Sequence, residues 1–252
     1  MTPTPLEPAA PVAARVEAHL ERLRARLALR DEVVTIPGTE RAVTITRPSD
    51  TDALLDQASG DPEQNLPYWA ELWPSGIALA AAIHEQPEAV RGQPVLELGS
   101  GLGLTAIAAL EAGADLLATD YAEESLILTR ANSLRNSGRE PRTLRMNWRD
   151  PDPALLDGYP RGYPVVLAAD VLYERRDIAP LLNLFGRIVA PGGLLWLAEP
   201  GRPPASIFLE SASRQGWTFT TSTSRGPWPD PADSEVVARV HQMRRRESGK
   251  SP

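Results

Sequence analysis

The first apolar positions of the chain recur at helical spacing. Within residues 12–30, which are rich in alanine, leucine and arginine, they are Val16, Leu20, Leu23 and Leu27. This spacing predicts an amphipathic helix over 12–30 with these four side chains on its buried face. The next segment, EVVTIPGTERAVTITRP, has two alternating β-branched runs on either side of PGTE. It predicts a β-hairpin that follows the helix.

From residue 66 onwards, short apolar runs alternate with amphipathic stretches. The runs predict strands at PVLELG, DLLATD, RTLRMN, YPVVLAAD and GGLLWLAEP, and at the two late segments WTFTTSTS and EVVARVHQM. The stretches predict helices from Pro74, over 103–112, over 122–137, near Ala154, over 177–189 and over 204–215. Uniformly apolar strands are typical of a parallel sheet covered on both faces. The predicted fold class is α/β: a Rossmann-like, doubly wound, mostly parallel seven-stranded sheet with an N-terminal helix and β-hairpin extension.

Pattern and composition together predict four segments of the chain. Residues 1–11 are proline-rich, which is typical of a disordered tail. The helix and hairpin extension covers 12–65 and ends in a polar, turn-rich loop. The main domain follows over 66–243, and a C-terminal tail that begins with three arginines covers 244–252.

Bulk composition excludes several kinds of chemistry. The 252 residues include no cysteine, three histidines and a single lysine, Lys250. Disulfides and cysteine nucleophiles are therefore absent, and we expect no metal site. A net charge of −7 disfavours a nucleic-acid partner. Because no apolar run approaches the length of a membrane span and no secretory signal is visible, we expect a cytoplasmic protein without membrane attachment, and a monomer.

Three glycines follow the first strand of the main domain at every second position. With the acid before them, they form the pattern E-x-G-x-G-x-G, made by Glu97, Gly99, Gly101 and Gly103. A dinucleotide-binding fingerprint, G-x-G-x-x-G, would need a third glycine where Leu104 stands. The loop joins a strand to a helix, so its backbone can approach a ligand closely. A tight turn without a ligand is the alternative interpretation.

An acid at the end of the next strand favours a ligand that contains ribose. Asp120 lies where a carboxylate can accept two hydrogen bonds from a ribose diol. Together, LELGSGLGL and Asp120 resemble the cofactor motifs of the class I, seven-strand S-adenosylmethionine (SAM) methyltransferases, and the resemblance spans roughly 67–243. It implies that SAM is the cofactor. The implied contacts are Gly99, Ser100, Gly101 and Gly103 along the methionine part, Glu97 near the amino group and Asp120 on the ribose.

The segment MNWRD ends the third strand of the main domain. In the family that the chain resembles, this position lies beside the adenine of the cofactor. The resemblance implies that Trp148 covers the adenine ring and that Asn147 or Asp150 contacts its amino group. The alternative is that Trp148 only fills the core.

A second signature precedes the main fold in NLPYWAELWPSGIALA. Trp69 and Trp73 are four residues apart, which is also the spacing of two buried helical aromatics. Because Pro67 and Pro74 bracket them, we predict a structured loop that leads into a helix. A tryptophan-containing segment of this kind resembles the METTL21-like protein lysine methyltransferases, a subgroup that includes the methyltransferase of the electron-transfer flavoprotein β subunit. The resemblance implies that Trp73 borders SAM and that Trp69 borders the acceptor.

The resemblance continues in AADVLYE, at the end of the fourth strand. Asp170 and Tyr173 give the D-x-x-Y pattern of that subgroup, which implies that they form the catalytic acceptor site, and Ala169 would border the cofactor. A carboxylate can attract a cationic lysine, and a tyrosine can offer its ring face or its hydroxyl to the same amine. The alternatives are a carboxylate that caps the loop and an aromatic side chain that only packs.

These motifs favour a SAM-dependent methyltransferase that modifies an amine, in particular a protein lysine side chain. Nucleobase and glutamine methyltransferases often have two prolines where Val171 and Leu172 stand, so this chain departs from their pattern. A small-molecule N- or O-methyltransferase with a small-molecule amine as acceptor remains an alternative. A non-catalytic SAM-binding scaffold protein is the alternative from another class.

Overall fold

The computed structural model describes residues 11–51, 54 and 66–245. Outside the described residues lie 1–10 of the N-terminal tail predicted over 1–11, most of the predicted loop at the end of the extension, and 246–252 of the predicted C-terminal tail.

The N-terminal extension consists of one helix and one hairpin, as predicted. Helix α1 spans Val12–Arg24, and strands β1 (Leu29–Thr35) and β2 (Ala42–Pro48) pair antiparallel. The prediction of a helix to residue 30 was wrong, because Leu29 and Arg30 already pair with β2 in the hairpin. The helical spacing of Leu27 extends the apolar pattern past the end of α1, where the chain turns at residues 25–26 and enters β1 at Leu29.

The remaining described elements form a seven-stranded sheet with helices on both faces. Five strands follow one another in parallel, and β9 is antiparallel to both of its neighbours. The strands are β3 (Pro94–Leu98), β4 (Asp115–Asp120), β5 (Arg142–Arg145), β6 (Tyr163–Ala169), β7 (Val189–Glu199), β8 (Trp217–Ser224) and β9 (Ala238–Arg245). The helices are α2 (Pro74–Glu85), α3 (Leu104–Glu111), α4 (Glu123–Ser137), α5 (Ile178–Ile188) and α6 (Pro203–Arg214).

The order of the strands locates a binding crevice. The order is β5-β4-β3-β6-β7-β9-β8. Strands β4 and β5 are added on one side of β3, and β6 and the later strands on its other side, so the strand order reverses between the adjacent parallel strands β3 and β6. Ligands of doubly wound sheets bind outside the carboxyl ends of the strands at such a switch point. The glycine loop follows β3, and Asp170 follows β6. The topology therefore brings the two main sequence motifs together.

Each face of the sheet packs against its own helices. One buried cluster includes side chains of α2, α3, α4 and the N-terminal extension, and the other includes side chains of α5 and α6. Strand β9 continues through Arg244 and Arg245, two residues beyond the predicted end of the main domain. The predicted α/β, doubly wound, mostly parallel seven-stranded sheet is confirmed, and the division into domains stays a prediction.

Two asparagines of α4 attach the hairpin to the main domain. The Asn132 side chain accepts a hydrogen bond from the Thr46 N–H (2.8 Å) and donates one to the Thr46 carbonyl (3.0 Å). Asn136 makes the same pair of bonds with Thr44, both at 2.9 Å. Asn132 also donates to the carbonyl of Leu102 in the glycine loop (2.9 Å). The extension is therefore tied directly to the segment that forms the candidate site.

Candidate active site

Three adjoining cavities open at the carboxyl ends of β3 and β6. The large cavity, of about 370 Å³, runs from the glycine loop past Asp120 and Trp148 to Asp170. A side cavity of about 50 Å³ adjoins it at Glu97. The small cavity, of about 180 Å³, lies beyond Asp170 and is lined by Tyr68, Trp73, Asp170, Tyr173, Glu174 and Arg202. The structure thus brings together both groups of residues that the sequence singled out.

The glycine loop has a backbone that only glycine adopts easily. Gly99, Gly101 and Gly103 have φ angles of 67°, 53° and 83°, in the left-handed region. A Cβ atom on Gly103 would lie 2.8 Å from Cα of Thr129 in α4, so this glycine also permits close packing. The hydroxyl of Thr129 donates a hydrogen bond to Ser100 Oγ (3.0 Å), which fixes the predicted serine within the loop.

Asp120 holds the glycine loop from the neighbouring strand. Its carboxylate accepts hydrogen bonds from the N–H groups of Gly101 (2.9 Å) and Ala122 (3.1 Å). Burial raises its pKa, and these two backbone bonds oppose the rise. Asp120 also lines the large cavity, and each carboxylate oxygen can accept more than one hydrogen bond. This position suits the predicted contact with a ribose.

Glu97 is a buried carboxylate at the end of β3 that lacks a full set of partners. It is 3% exposed, and its Oε2 atom has no hydrogen-bond partner. Burial, together with the negative charge of Asp120, raises the pKa of Glu97 to about 8. An unpartnered buried carboxylate oxygen is costly unless a donor meets it. Because Glu97 lines the side cavity, an ammonium group of a ligand there would be such a donor, so the residues fit the amino group of SAM.

Trp148 forms one wall of the large cavity, and its indole is anchored from behind. Its Nε1–H donates to Oδ1 of the fully buried Asp177 (3.2 Å), which also pairs with the guanidinium of Arg149 (2.6 Å). The ring passes 3.5 Å from the place of a Cβ on Gly99. Trp148 also packs against the buried cluster that includes side chains of α5 and α6. The same side chain therefore lines the cavity and fills part of the core.

Two further predicted adenine contacts lie near Trp148. Asn147 lines the large cavity, and its side-chain oxygen accepts a bond from the Arg149 N–H (3.0 Å). The backbone N–H of Asp150 donates to the Asn147 carbonyl (3.1 Å), and Asp150 is not among the described residues that line the large cavity. Of the two, Asn147 is therefore the one that lines the large cavity, and its contact with adenine stays a prediction.

Aromatic rings surround the small cavity. Tyr68 makes edge-to-face contacts with Trp73 and with Tyr173, at ring-centroid distances of 6.0 and 5.2 Å. Tyr173 in turn contacts Trp148 at 6.1 Å. Burial, and then the negative charge of Asp177, raises the pKa of Tyr173, so its hydroxyl stays protonated at neutral pH. These rings offer apolar faces to a cationic side chain.

Asp170 lies between the cavities in an unusual backbone conformation. Its φ angle is 57°, and it is the one non-glycine residue with a positive φ in the described part of the chain. Its carboxylate accepts a bond from Ser75 Oγ (3.0 Å) and forms an ion pair with Arg202. Burial raises its pKa, and the Arg202 charge and the Ser75 bond oppose that rise. Strain of this kind persists where the surroundings hold it, which is common at functional sites.

The structure adds residues that the sequence motifs did not indicate. Ser75 is at the start of α2, and Arg202 immediately precedes α6, in the short segment that follows β7. Tyr68 lines the small cavity, whereas its predicted neighbour Trp69 lines only the large one, with its carbonyl close to Gly101. Ala169 borders the large cavity and the side cavity. The strand order could have indicated Arg202, because β7 neighbours β6 and both carboxyl ends face the crevice.

Comparisons with known proteins agree with this geometry. A sequence profile of the family described as lysine methyltransferase matches residues 64–214. The human electron transfer flavoprotein beta subunit lysine methyltransferase is 54% identical over 189 residues, which cover 65% of this chain and 66% of the human protein. The rat protein of the same name is 33% identical over 147 residues, 56% of this chain and 53% of the rat protein. The chain thus spans about half the length of that relative.

A solved structure supports the fold. The N-methyltransferase NodS of Bradyrhizobium japonicum, in complex with S-adenosyl-L-homocysteine, matches with a TM-score of 0.56 at 12% identity and covers 78% of this chain and 98% of its own. The fold is therefore that of the Rossmann-like methyltransferases.

The chain belongs to the lysine methyltransferase family. The family that its sequence motifs predict is thereby confirmed. At the level of the family, the predicted class of enzyme, a methyltransferase, and its cofactor, SAM, are confirmed as well. No helix in the described ranges has the length and apolar character needed to cross a membrane. Among the same residues, no group of three or more histidine and acidic side chains could hold a metal ion.

Proposed function

We propose that the chain transfers a methyl group from SAM to the side-chain amine of a protein lysine. The proposal rests mainly on the position of Asp170. Its buried carboxylate lies at the carboxyl end of β6 and lines both the large cavity and the aromatic-lined small cavity. The names of the human and rat relatives, which denote a lysine methyltransferase of a flavoprotein subunit, support a protein acceptor.

The large cavity and the side cavity suit the cofactor. The ammonium of its methionine part would meet Glu97, its ribose would meet Asp120, and its adenine would lie against Trp148 beside Asn147. The glycine backbone from 99 to 103 would follow the ligand, with Ser100 held in place by Thr129. Trp73 and Ala169 border the side cavity, at the point where the cofactor space meets the acceptor space.

The small cavity suits the acceptor. When bound, SAM supplies an electrophilic methyl group; transfer breaks the methyl–sulfur bond, forms a methyl–nitrogen bond and leaves a neutral thioether. The attacking amine must first lose its proton, because an ammonium has no free electron pair. Asp170 would hold the incoming ammonium, and its raised pKa makes it a better proton acceptor than an exposed aspartate. Tyr68, Trp73 and Tyr173 would enclose the alkyl stem and exclude water.

The remaining predictions about context rest on the sequence. A cytoplasmic location, a monomeric state and the absence of nucleic-acid or membrane partners stay predictions, and the protein acceptor belongs to this proposal. Trp69, predicted to contact the acceptor, would instead act from the wall of the large cavity.

Labelled SAM, incubated with the chain and a cell lysate, tests the proposal. We expect label on lysine in protein bands, located by mass spectrometry, and a loss of at least tenfold with Asp170→Asn because the amide cannot hold the ammonium ion. Arg214→Lys, an exposed substitution, is the matched control and should leave the rate unchanged. Label confined to small molecules would favour the small-molecule methyltransferase. SAM binding by calorimetry without any transfer would favour the scaffold protein.

A further inference from the structure

The small cavity already contains a cation that belongs to the chain itself. The guanidinium of Arg202 forms an ion pair with Asp170, and its central carbon lies 5.2 Å from the ring centroid of Trp73. A carboxylate and an aromatic face are the two features that bind an alkylammonium group. Arg202 therefore occupies the position in which the acceptor's charged nitrogen would be held.

An arginine can occupy this position without becoming a substrate. Its guanidinium remains protonated in proteins, and its nitrogen electron pairs are delocalised, so it is a poor nucleophile. A lysine amine in the same place could lose its proton and attack a methyl donor. The chain has a single lysine, Lys250, which lies outside the described residues.

A second carboxylate, that of Asp233, interacts electrostatically with Arg202. Its side chain is 33% exposed, at the rim of the small cavity. The carboxylate of Asp233 lies within electrostatic range of Arg202 and of Glu71, and the Arg202 charge opposes the rise that burial and Asp230 cause in the pKa of Asp233. Arg202 is preceded by Gly201, with a φ of 88°, and is followed by the first turn of α6. The negative charge of Asp233 therefore favours a guanidinium at this rim independently of Asp170.

We propose that Arg202 is a specificity-determining residue that occupies the acceptor position until a cationic lysine side chain displaces it from Asp170 and Trp73. A neutral acceptor would leave Arg202 paired with Asp170 and would not enter. The inference rests on the proposed function for its acceptor class. It adds that acceptor binding is an exchange of one cation for another.

The substitution Arg202→Lys tests whether this position is the methyl-accepting one. We expect the variant, incubated with SAM at pH 8.5, to methylate its own new amine: the methyl–sulfur bond breaks, a methyl–nitrogen bond forms, and the proton lost by the amine passes to solvent. Peptide mapping should show the added methyl group at position 202. Wild-type chain and Arg214→Lys should show none at 202 or 214, respectively. An unmodified position 202, in a variant that still methylates an external lysine peptide, would overturn the inference and leave the proposed function standing.

A binding measurement without SAM tests the exchange independently of catalysis. We expect Arg202→Ala and Arg202→Gln to bind n-butylammonium about tenfold more tightly than wild type by calorimetry, because no internal cation competes for Asp170. An uncharged analogue, n-pentanol, should not bind wild type measurably, and either substitution should raise its affinity less than that of n-butylammonium, because an alcohol cannot form an ion pair with Asp170. Equal n-butylammonium affinity in wild type and both variants would contradict the inference. A different result would separate the two proposals. If no form methylated any acceptor but both variants bound n-butylammonium more tightly than wild type, the proposed function would be refuted. The inference that a bound cation displaces Arg202 would stand.

Discussion

Glu97 is a residue at which folding and cofactor binding make opposite demands. Its buried oxygen has no partner in the protein alone, and its pKa is raised to about 8. A charged carboxylate in this place lowers the stability of the fold, whereas the ammonium of a bound ligand would stabilise the charge. The chain therefore retains an unfavourable group that becomes favourable only when the site is filled.

The raised pKa of Glu97 predicts a specific dependence of stability on pH. Below about pH 4.5, Glu97 is protonated in both the folded and the unfolded states. Between about 4.5 and 8, only the folded state keeps the proton, so this residue makes the free energy of unfolding fall as the pH rises. Above about 8 its contribution is constant, and the loss is complete.

We expect Glu97→Gln to remove that slope and to separate stability from binding. At pH 8 to 9, urea denaturation should give the variant a free energy of unfolding about 1–3 kcal/mol above wild type, because the buried charge is gone. Calorimetry at the same pH should show SAM binding weakened at least tenfold. Glu88→Gln, on an exposed turn, is the control. If wild type and Glu97→Gln lost equal free energy of unfolding between pH 5 and 8, Glu97 would not be the titrating group.

At the scale of the element, the glycine loop and α4 fit only because Gly103 has no side chain. A Cβ on Gly103 would lie 2.8 Å from Cα of Thr129 and 3.2 Å from its carbonyl oxygen, both backbone atoms of α4. Gly138, which ends α4 with a φ of 70°, has open space around the corresponding position. The two glycines share a backbone conformation but differ in packing.

This difference predicts unequal effects of the same substitution. Gly138→Ala should cost about 1 kcal/mol of stability, the strain of a left-handed alanine. Gly103→Ala should cost about 3 kcal/mol or more, because the loop must also move away from α4. Chemical denaturation measures both, and SAM affinity should fall only in Gly103→Ala. Equal losses in the two variants would show that the contact with Thr129 is relieved without cost.

The sequence predicted elements and loops better than it predicted the partners inside the site. Apolar periodicity and the glycine pattern are local signals. The strands of the sheet, the glycine loop and the place of Asp120 at the end of β4 could therefore be predicted. Ser75 and Arg202 meet Asp170 from 95 and 32 residues away in the chain, and no local pattern encodes those contacts. The overlong prediction for α1 has the same origin, since Leu29 and Arg30 pair with β2, a contact that local spacing does not encode.

At the scale of the whole molecule, the N-terminal extension forms part of the cavity that suits the cofactor. Arg26 and Leu27, just after α1, line the large cavity together with residues of the glycine loop. Glu140 holds α1 against α4 through ion pairs with Arg15 (2.7 Å) and Arg130 (2.9 Å). A ligand in the large cavity would therefore contact both the extension and the sheet.

Because a bound ligand stabilises every segment that it contacts, SAM should protect the end of α1 from hydrogen exchange. The N–H groups of Arg26 and Leu27 both donate to the Leu23 carbonyl at 2.8 Å, so their exchange reports the opening of this turn. We expect exchange there to slow about tenfold or more at saturating SAM. The turn at the end of α6, near Arg214, lies away from the cavities and provides the internal control. Protection confined to the glycine loop would show that the extension covers the site without contributing to binding.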